Sequence, residues 1–331
     1  MILLADLHLG LSDDNELWHN ASLNLAKEIA DVCIKQDIEN ISILGDIFDK
    51  RQTMNQKTHD LAWEIVSVIW KDFRKVFVRG NHDTYYKNQP RPNWLKIFNK
   101  CDDVTIVDAE PYISGDCCYV PWKYDISTLD WNGYLFGHFE INNFKMNNAY
   151  ECRSSDISAN DFRRFKQVYA GHFHFPQTYG NITYLGSPFH NDFGDVGSKR
   201  GYYIWNNGKL KFIEFTNAPK FVKIRTDGPI LPGDIKGNVV KLVFDRDYGT
   251  NKNNELVEQA ELYDPASLVI DTSNFNITSE EEKPQSDDII IKNNIELMTE
   301  YMEKKMETLP HMNPKVMHKI LDLLLKEDDE A

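Results

Sequence analysis

Five short segments of this 331-residue chain place a metal-ligating side chain at, or just after, a run of apolar residues. They read Leu4-Ala5-Asp6-Leu7-His8, Leu44-Gly45-Asp46, Gly80-Asn81-His82-Asp83, Gly137-His138 and Gly171-His172-Phe173-His174. Carboxylate, imidazole and amide oxygen are the donors of mixed nitrogen–oxygen sites. Such sites suit Mn, Fe, Zn or Co better than Mg, which prefers oxygen ligands and water. Two cations about 3.5–4 Å apart, sharing a bridging carboxylate, can generate hydroxide, direct it in line at phosphorus and stabilise the charge that develops there. Any one Gly-Asp or Gly-His pair is an ordinary turn. The chemical reading rests on the recurrence of all five at the same place relative to an apolar run. The i, i+2 spacing of Asp6/His8 and of His172/His174 predicts that each pair leaves an extended segment on one side.

The elements that must position these side chains follow from the apolar pattern. Ile2–Ala5, Ile41–Leu44, Lys75–Val78 and Val104–Val107 have the length and branching of buried strands. Leu25, Ile29, Val32 and Cys33 mark one helix between them; Leu61, Ile65, Val68 and Ile69 mark a second. From Cys117 onward strands follow closely: Cys117–Val120, Tyr134–Phe136, Val168–Ala170, Ile182–Leu185, Tyr202–Trp205 and Leu210–Phe215. An α/β half giving way to a β-rich half predicts two facing sheets flanked by helices. Ligand loops then gather beyond the carboxyl ends of strands, and glycine permits the sharp turn and close approach there.

The ordered set Asp6-x-His8, Gly45-Asp46, Gly80-Asn81-His82-Asp83, Gly137-His138 and Gly171-His172-x-His174 resembles the calcineurin-like metallophosphoesterase superfamily over roughly the first 215 residues. Within it, several segments resemble the SbcD-type DNA repair nucleases, and especially the recombination endonuclease subunits of tailed phages. These are Gly45-Asp46-Ile47-Phe48-Asp49, Gly137-His138-Phe139-Glu140, Gly171-His172-Phe173-His174 and Tyr184-Leu185-Gly186-Ser187-Pro188. The resemblance implies a four-layer α/β/β/α sandwich holding two divalent cations, with Mn²⁺ the expected metal. Asp6, His8 and His174 would bind one and Asn81, His138 and His172 the other, with Asp46 bridging. His82 would be the catalytic residue beside the scissile phosphate, and Asp83 would orient it. Many cellular members carry histidine where this chain has Asp49. An ionised carboxylate cannot donate a proton, so the balance of exonuclease and endonuclease action stays open and Asp49 is given no catalytic role.

The chain divides, on this reading, into a phosphoesterase domain over 1–217, a small α/β capping domain over 218–275, an acidic linker over 276–288 and a helical segment over 289–331. The capping domain is predicted from the strands Phe221–Arg225 and Val239–Phe244 and the helix Leu256–Leu262. The helical segment carries Ile295, Met298, Met302, Met306 and Leu309 on one face, then Met317, Ile320, Leu321 and Leu324 after Asn313 as N-cap and Pro314 at the first helical position. A lone helical pair has little core of its own, and such stripes dock on other chains. The resemblance implies that residues 289–326 bind an SbcC-type, SMC-like ATPase, and that the phosphoesterase domain can form a homodimer.

The net charge of −14 bears on partners. Proteins that grip nucleic acid unaided carry a basic face. Here the acid is concentrated in Glu280–Glu282, Asp287-Asp288 and Glu327–Glu330. A DNA-acting protein of this composition relies on bound cations, a partner, or local basic segments. Two such segments are Tyr85–Pro92, with Lys87 and Arg91, and Ile141–Ser155, with Lys145 and Arg153. The five cysteines form no CxxC pair and read as buried thiols of a reducing cytoplasm. Met1–Asp6 has no basic n-region and is expected to form a first strand and not a signal peptide, and no apolar run reaches the ~20 residues needed to cross a membrane. His19, His59, His190, His311 and His318 match no motif and are expected on the surface or in packing. Hydrolysis of DNA phosphodiesters is the reaction expected. The alternatives are another calcineurin-like enzyme, acting on phosphoproteins or small phosphodiesters, and a scaffold subunit without chemistry.

Overall fold

The computed structural model describes residues 1–146 and 150–274. Four strands open the chain: β1 (Ile2–Leu4), β2 (Asn40–Leu44), β3 (Arg74–Val78) and β4 (Val104–Val107), each parallel to the next. A second sheet contains β5 (Tyr112–Ser114), β6 (Cys117–Val120), β7 (Tyr134–His138), β8 (Gln167–Gly171), β9 (Gln177–Tyr179) and β10 (Ile182–Tyr184), in the order β5-β6-β7-β8-β10-β9. The chain then returns to the first sheet through β11 (Gly201–Asn206) and β12 (Lys209–Glu214). That sheet reads β12-β11-β1-β2-β3-β4, with β11 antiparallel to β1. The parallel strands β1, β2, β3, β7 and β8 send their carboxyl ends to the segments that carry the candidate ligands.

Strand alternation divides the apolar residues between layers. Leu3, Ala5, Leu44 and Val78 face Tyr134, Phe136, Tyr169 and Trp205 in a cluster between the sheets. Ile2, Leu4, Ile41 and Ile43 point outward, where the helix Glu16–Gln36 covers them. That helix buries Trp18, Ala21, Leu25, Ala26, Ile29 and Cys33 at three- and four-residue intervals. The Asn15 side chain caps its start by accepting from Leu17 N–H (2.9 Å). The helix Gln56–Trp63 runs on into a π-helical segment, Glu64–Ile69. The wider turn, closed by Trp70 N–H to Ile65 O at 2.9 Å, swings Trp70 into the core and Val68 out to 58% exposure. The predicted stripe through Val68 assumed 3.6 residues per turn throughout, which this segment does not keep. The outer face of the second sheet is covered by short 3₁₀ turns, Ile126–Thr128 and Ala159–Phe162, and by loops rich in phenylalanine.

A third sheet holds β13 (Phe221–Arg225), β14 (Val239–Val243) and β15 (Ser267–Asp271), all parallel. The helix Thr250–Leu262 packs against it through Ala260. Phe221 stacks on Trp18 of the first helix (ring centroids 5.6 Å, 7° between planes). His190, expected in packing, is buried there: its Nε2–H donates to Ser198 O (2.9 Å) and its Nδ1 accepts from Phe221 N–H (3.2 Å). The cysteines are all free, with Cys33, Cys118 and Cys152 buried. Among the described residues no helix is long and apolar enough to cross a membrane. The linker 276–288, the helical segment 289–331 with the stretch 289–326 expected to bind an ATPase, His311 and His318 lie outside the described residues.

Candidate metal centre

The segments after β1 and β2 run side by side. Asp6 N–H donates to Gly45 O (3.0 Å), His8 N–H to Asp46 O (3.0 Å) and Leu9 N–H to Ile47 O (2.8 Å). The backbone here is not extended. Asp6, His8, Asp46 and His172 have φ of 55°, 47°, 51° and 103°. For non-glycine residues this region costs about 1–3 kcal/mol each and persists only where the surroundings enforce it. The i, i+2 reading of Asp6/His8 therefore fails in detail: left-handed turns, not strand alternation, aim these side chains. Three glycines let the loops close. A Cβ on Gly80 would lie 2.1 Å from Asp46 Oδ1, on Gly45 2.2 Å from His138 Nδ1, and on Gly171 2.2 Å from Leu44 O.

Asp46 stands at the middle. Its Oδ2 is 3.3 Å from His138 Nε2 and 4.0 Å from His8 Nε2, and its Oδ1 accepts His82 N–H (2.7 Å). On one side Asp6, His8 and His174 gather, with His8 Nε2 and His174 Nε2 3.0 Å apart. On the other, Asp46 meets His138 and His172, and Asn81 Oδ1 lies 3.0 Å from His138 Nε2 and 2.8 Å from His172 Nδ1. All seven proposed ligands thus meet in one cluster. The eighth residue, His82, sits beside it with its ring 4.9 Å from that of His8.

The charges within the cluster conflict. Burial opposes ionisation of Asp46, but His138, His8 and His82 outweigh it and hold its carboxyl well below the usual range. Burial pushes Asp6 up to about 6, Asp46 adding to the effect against His138 and His8. Burial would lower His138, yet Asp46 and then Asp6 carry it up to about 9. Burial lowers His172 to about 3, helped by the charge on His138, and drives His174 well below its ordinary value, helped by His8. Burial also lowers His82.

The donor set fits divalent cations. His138 Nδ1–H donates to Leu44 O (2.8 Å), so it is Nε2, facing Asp46 Oδ2 and Asn81 Oδ1, that either a proton or a cation must occupy. Acceptors this close repel unless positive charge lies among them. Asn191 points the same way. Its buried Oδ1 has no partner while its Nδ2 lies 3.2 Å from His174 Nδ1. Turning the amide over lets His174 Nδ1–H donate to the oxygen and frees Nε2 for a cation.

Several supporting residues have roles that the sequence does not show. The Asp49 carboxylate lies 3.3 Å from His8 Nδ1, and its backbone carbonyl accepts from His82 Nδ1. Asp49, not Asp83, therefore orients His82. Asp83 does something else: its carboxylate accepts the N–H groups of Asp46 (3.0 Å), Ile47 (2.9 Å), Phe48 (3.2 Å) and Gly80 (2.8 Å), binding the β2 and β3 loops together. Arg51 Nε–H donates to Asn81 O (2.9 Å). The Trp122 ring packs 4.8 Å from His172 and 5.5 Å from His138. The sequence singles out Asp49 without giving it a role, because roles played through a backbone carbonyl have no side-chain signature. His19 lies 3.6 Å from Asp14 and His59 beside Asp60, both away from the cluster.

Comparison with known proteins agrees with this geometry. The chain is 28% identical over 218 residues to exonuclease subunit 1 of Enterobacteria phage T4, a match covering 61% of this chain and 63% of that one. Residues 1–213, which contain both large sheets and every residue of the cluster, match the profile described as calcineurin-like phosphoesterase. That match spans more than half of the chain, and the chain belongs to the calcineurin-like phosphoesterase family.

Proposed function

We propose that this chain is the nuclease subunit of a DNA-processing assembly, a phosphodiesterase that uses two divalent cations, with Mn²⁺ the expected metal. The observation that carries the reading is the convergence of Asp6, His8, Asp46, Asn81, His138, His172 and His174 around lone pairs that face one another, with His82 at the margin. Asp6, His8 and His174 would hold one cation, Asn81, His138 and His172 the second, and Asp46 both. Bound there, the cations would supply Lewis-acid charge to the phosphate and activate water at neutral pH.

The protein's own groups do the rest. His138 is held in one tautomer by Leu44 O. His82, fixed through Nδ1–H by Asp49 O, leaves Nε2 available; with a substrate phosphate alongside to favour the imidazolium against the effect of burial, it would stabilise the transition state or give the Nε2 proton to the leaving oxygen. The phage relative is named an exonuclease subunit, which favours DNA over phosphoprotein and implies companion subunits. The expected companion is an SMC-like ATPase of the SbcC type bound by residues 289–326, and the expected setting is the cytoplasm, where it cuts DNA during recombination, repair or replication. His82→Ala should keep two Mn²⁺ per chain and lose cleavage of linear duplex DNA. Cleavage that survives, or nitrophenyl phosphates cut while DNA is spared, would sink the nuclease assignment. Removing residues 289–331 should abolish co-purification with the ATPase while a small phosphodiester is still hydrolysed.

A further inference from the structure

The loop after His82 faces solvent along much of its length yet is pinned like a shelf. Thr84 and Asn93 pair as an antiparallel bridge, and Tyr85 N–H donates to Pro92 O (3.1 Å). The Thr84 hydroxyl donates to Tyr86 O (2.9 Å), the Asn93 amide to Pro90 O (2.6 Å), and the Trp122 indole N–H to Lys87 O (2.9 Å). These bonds fix the backbone and leave two aromatic rings outermost. Tyr85 is 41% and Tyr86 51% exposed, with ring centroids 4.7 Å apart and edge to face. Large rings left in water forgo the gain of burial, so a pair held on a rigid support needs a reason.

The shelf abuts the metal centre through Trp122, which accepts Lys123 Nζ over its ring at 4.9 Å and touches His172 with the same ring at 4.8 Å. Lys87 acts on His172 by its charge, and Lys123, partly offset by Glu140 at 3.7 Å, adds to it beside the cluster in a chain of net charge −14; Arg91 is exposed but faces Asp108 at 3.9 Å.

We propose that this shelf takes an unpaired nucleotide of the strand being cut, its base stacked on Tyr85 or Tyr86 and its neighbouring phosphates met by Lys87 and Lys123. The proposal rests on the nuclease reading and names the substrate form. Every base has a π-face, so stacking tolerates any sequence, whereas a base inside a duplex has both faces covered by its neighbours. A fixed shelf also loses little freedom on binding. The site therefore selects frayed or single-stranded DNA by structure rather than by sequence.

The test is binding of a hydrolysis-resistant phosphorothioate strand in Mn²⁺, read by fluorescence anisotropy for the full chain and for the double variant Tyr85→Ala/Tyr86→Ala. Single-strand affinity should fall about tenfold, blunt duplex affinity should hold, and Tyr85→Phe/Tyr86→Phe should bind as the native chain does. An abasic nucleotide placed at the stacking position should weaken the native chain and leave the alanine variant unchanged. Unaltered single-strand affinity, an equal loss on duplex, or an abasic penalty that adds to the alanine penalty would overturn the proposal. Because binding is read without cleavage, a chain that stacks the base yet cuts no phosphodiester would sink the nuclease reading and leave the shelf standing.

Discussion

Asp49 shows how much of a metal centre can depend on a residue that holds no metal. Its carboxylate faces His8 Nδ1 and its carbonyl fixes His82 Nδ1. A carboxylate behind a metal-ligating imidazole sets the tautomer and raises the ligand's basicity, and its loss costs about 10–100-fold in metal affinity. Asp49→Ala should weaken Mn²⁺ binding by that amount in a calorimetric titration, and Asp49→Asn should restore part of it; two unchanged isotherms would show the contact to be idle. Protons compete for the same ligands. Against the lowering effect of burial, Asp46 and Asp6 hold His138 at about 9, and burial holds Asp6 at about 6. A cation can bind His138 and Asp6 only after those protons leave. Metal affinity should therefore fall as pH drops below about 9, and more steeply below about 6. Titrations at about pH 7.5 in two buffers of different ionisation enthalpy should reveal a released proton; identical heats in both would contradict this.

At the scale of elements, the loops were more legible than the supports. Gly45, Gly80 and Gly171 precede ligand-type residues because a Cβ there would strike Asp46, His138 or Leu44. Short-range chemistry of this kind leaves a dipeptide in the sequence. Gly80→Ala should cost about 1–3 kcal/mol from overpacking and a larger factor in metal binding, because the displaced atom is Asp46 Oδ1. Equal thermal stability and metal stoichiometry would refute that. The helix Glu16–Gln36 and the strands β1, β2 and β3 were legible because burial on a fixed period leaves an apolar stripe. Tyr112–Ser114, exposed along its length, and Gln177–Tyr179 were not, because edge strands in water need no alternation. Ser267–Asp271 hides for a similar reason, with Ser267 and Val269 facing out. Asp83 was seen but misread: four backbone N–H groups, not an imidazole, are its partners, and nothing in Gly-Asn-His-Asp distinguishes the two.

Over the whole molecule, the small third sheet is joined to the rest by few but specific contacts. Phe221 stacks on Trp18, meets Phe193 edge to face at 4.9 Å, and donates its N–H to His190. Phe221→Ala should cost about 1–3 kcal/mol and speed proteolysis near residues 215–221; an unchanged digestion pattern would mean the sheet is held elsewhere. The acidic balance suggests that the chain alone covers few phosphates. Its duplex affinity should then vary weakly with salt, each phosphate contact contributing a slope of about 0.9 in log K against log salt. A steep dependence for the isolated chain would remove the need for a partner's basic surface.

His8 and His174 stand 166 positions apart in the chain yet touch. The first comes from the segment after β1 and the second from the segment after β8, in different sheets. A polypeptide still emerging from the ribosome has therefore made Asp6, His8 and Asp46 long before the histidines that complete their pocket. Until synthesis has passed His174 and the two sheets have closed, the donor set stays incomplete, so the pocket cannot assemble while the chain is only partly made.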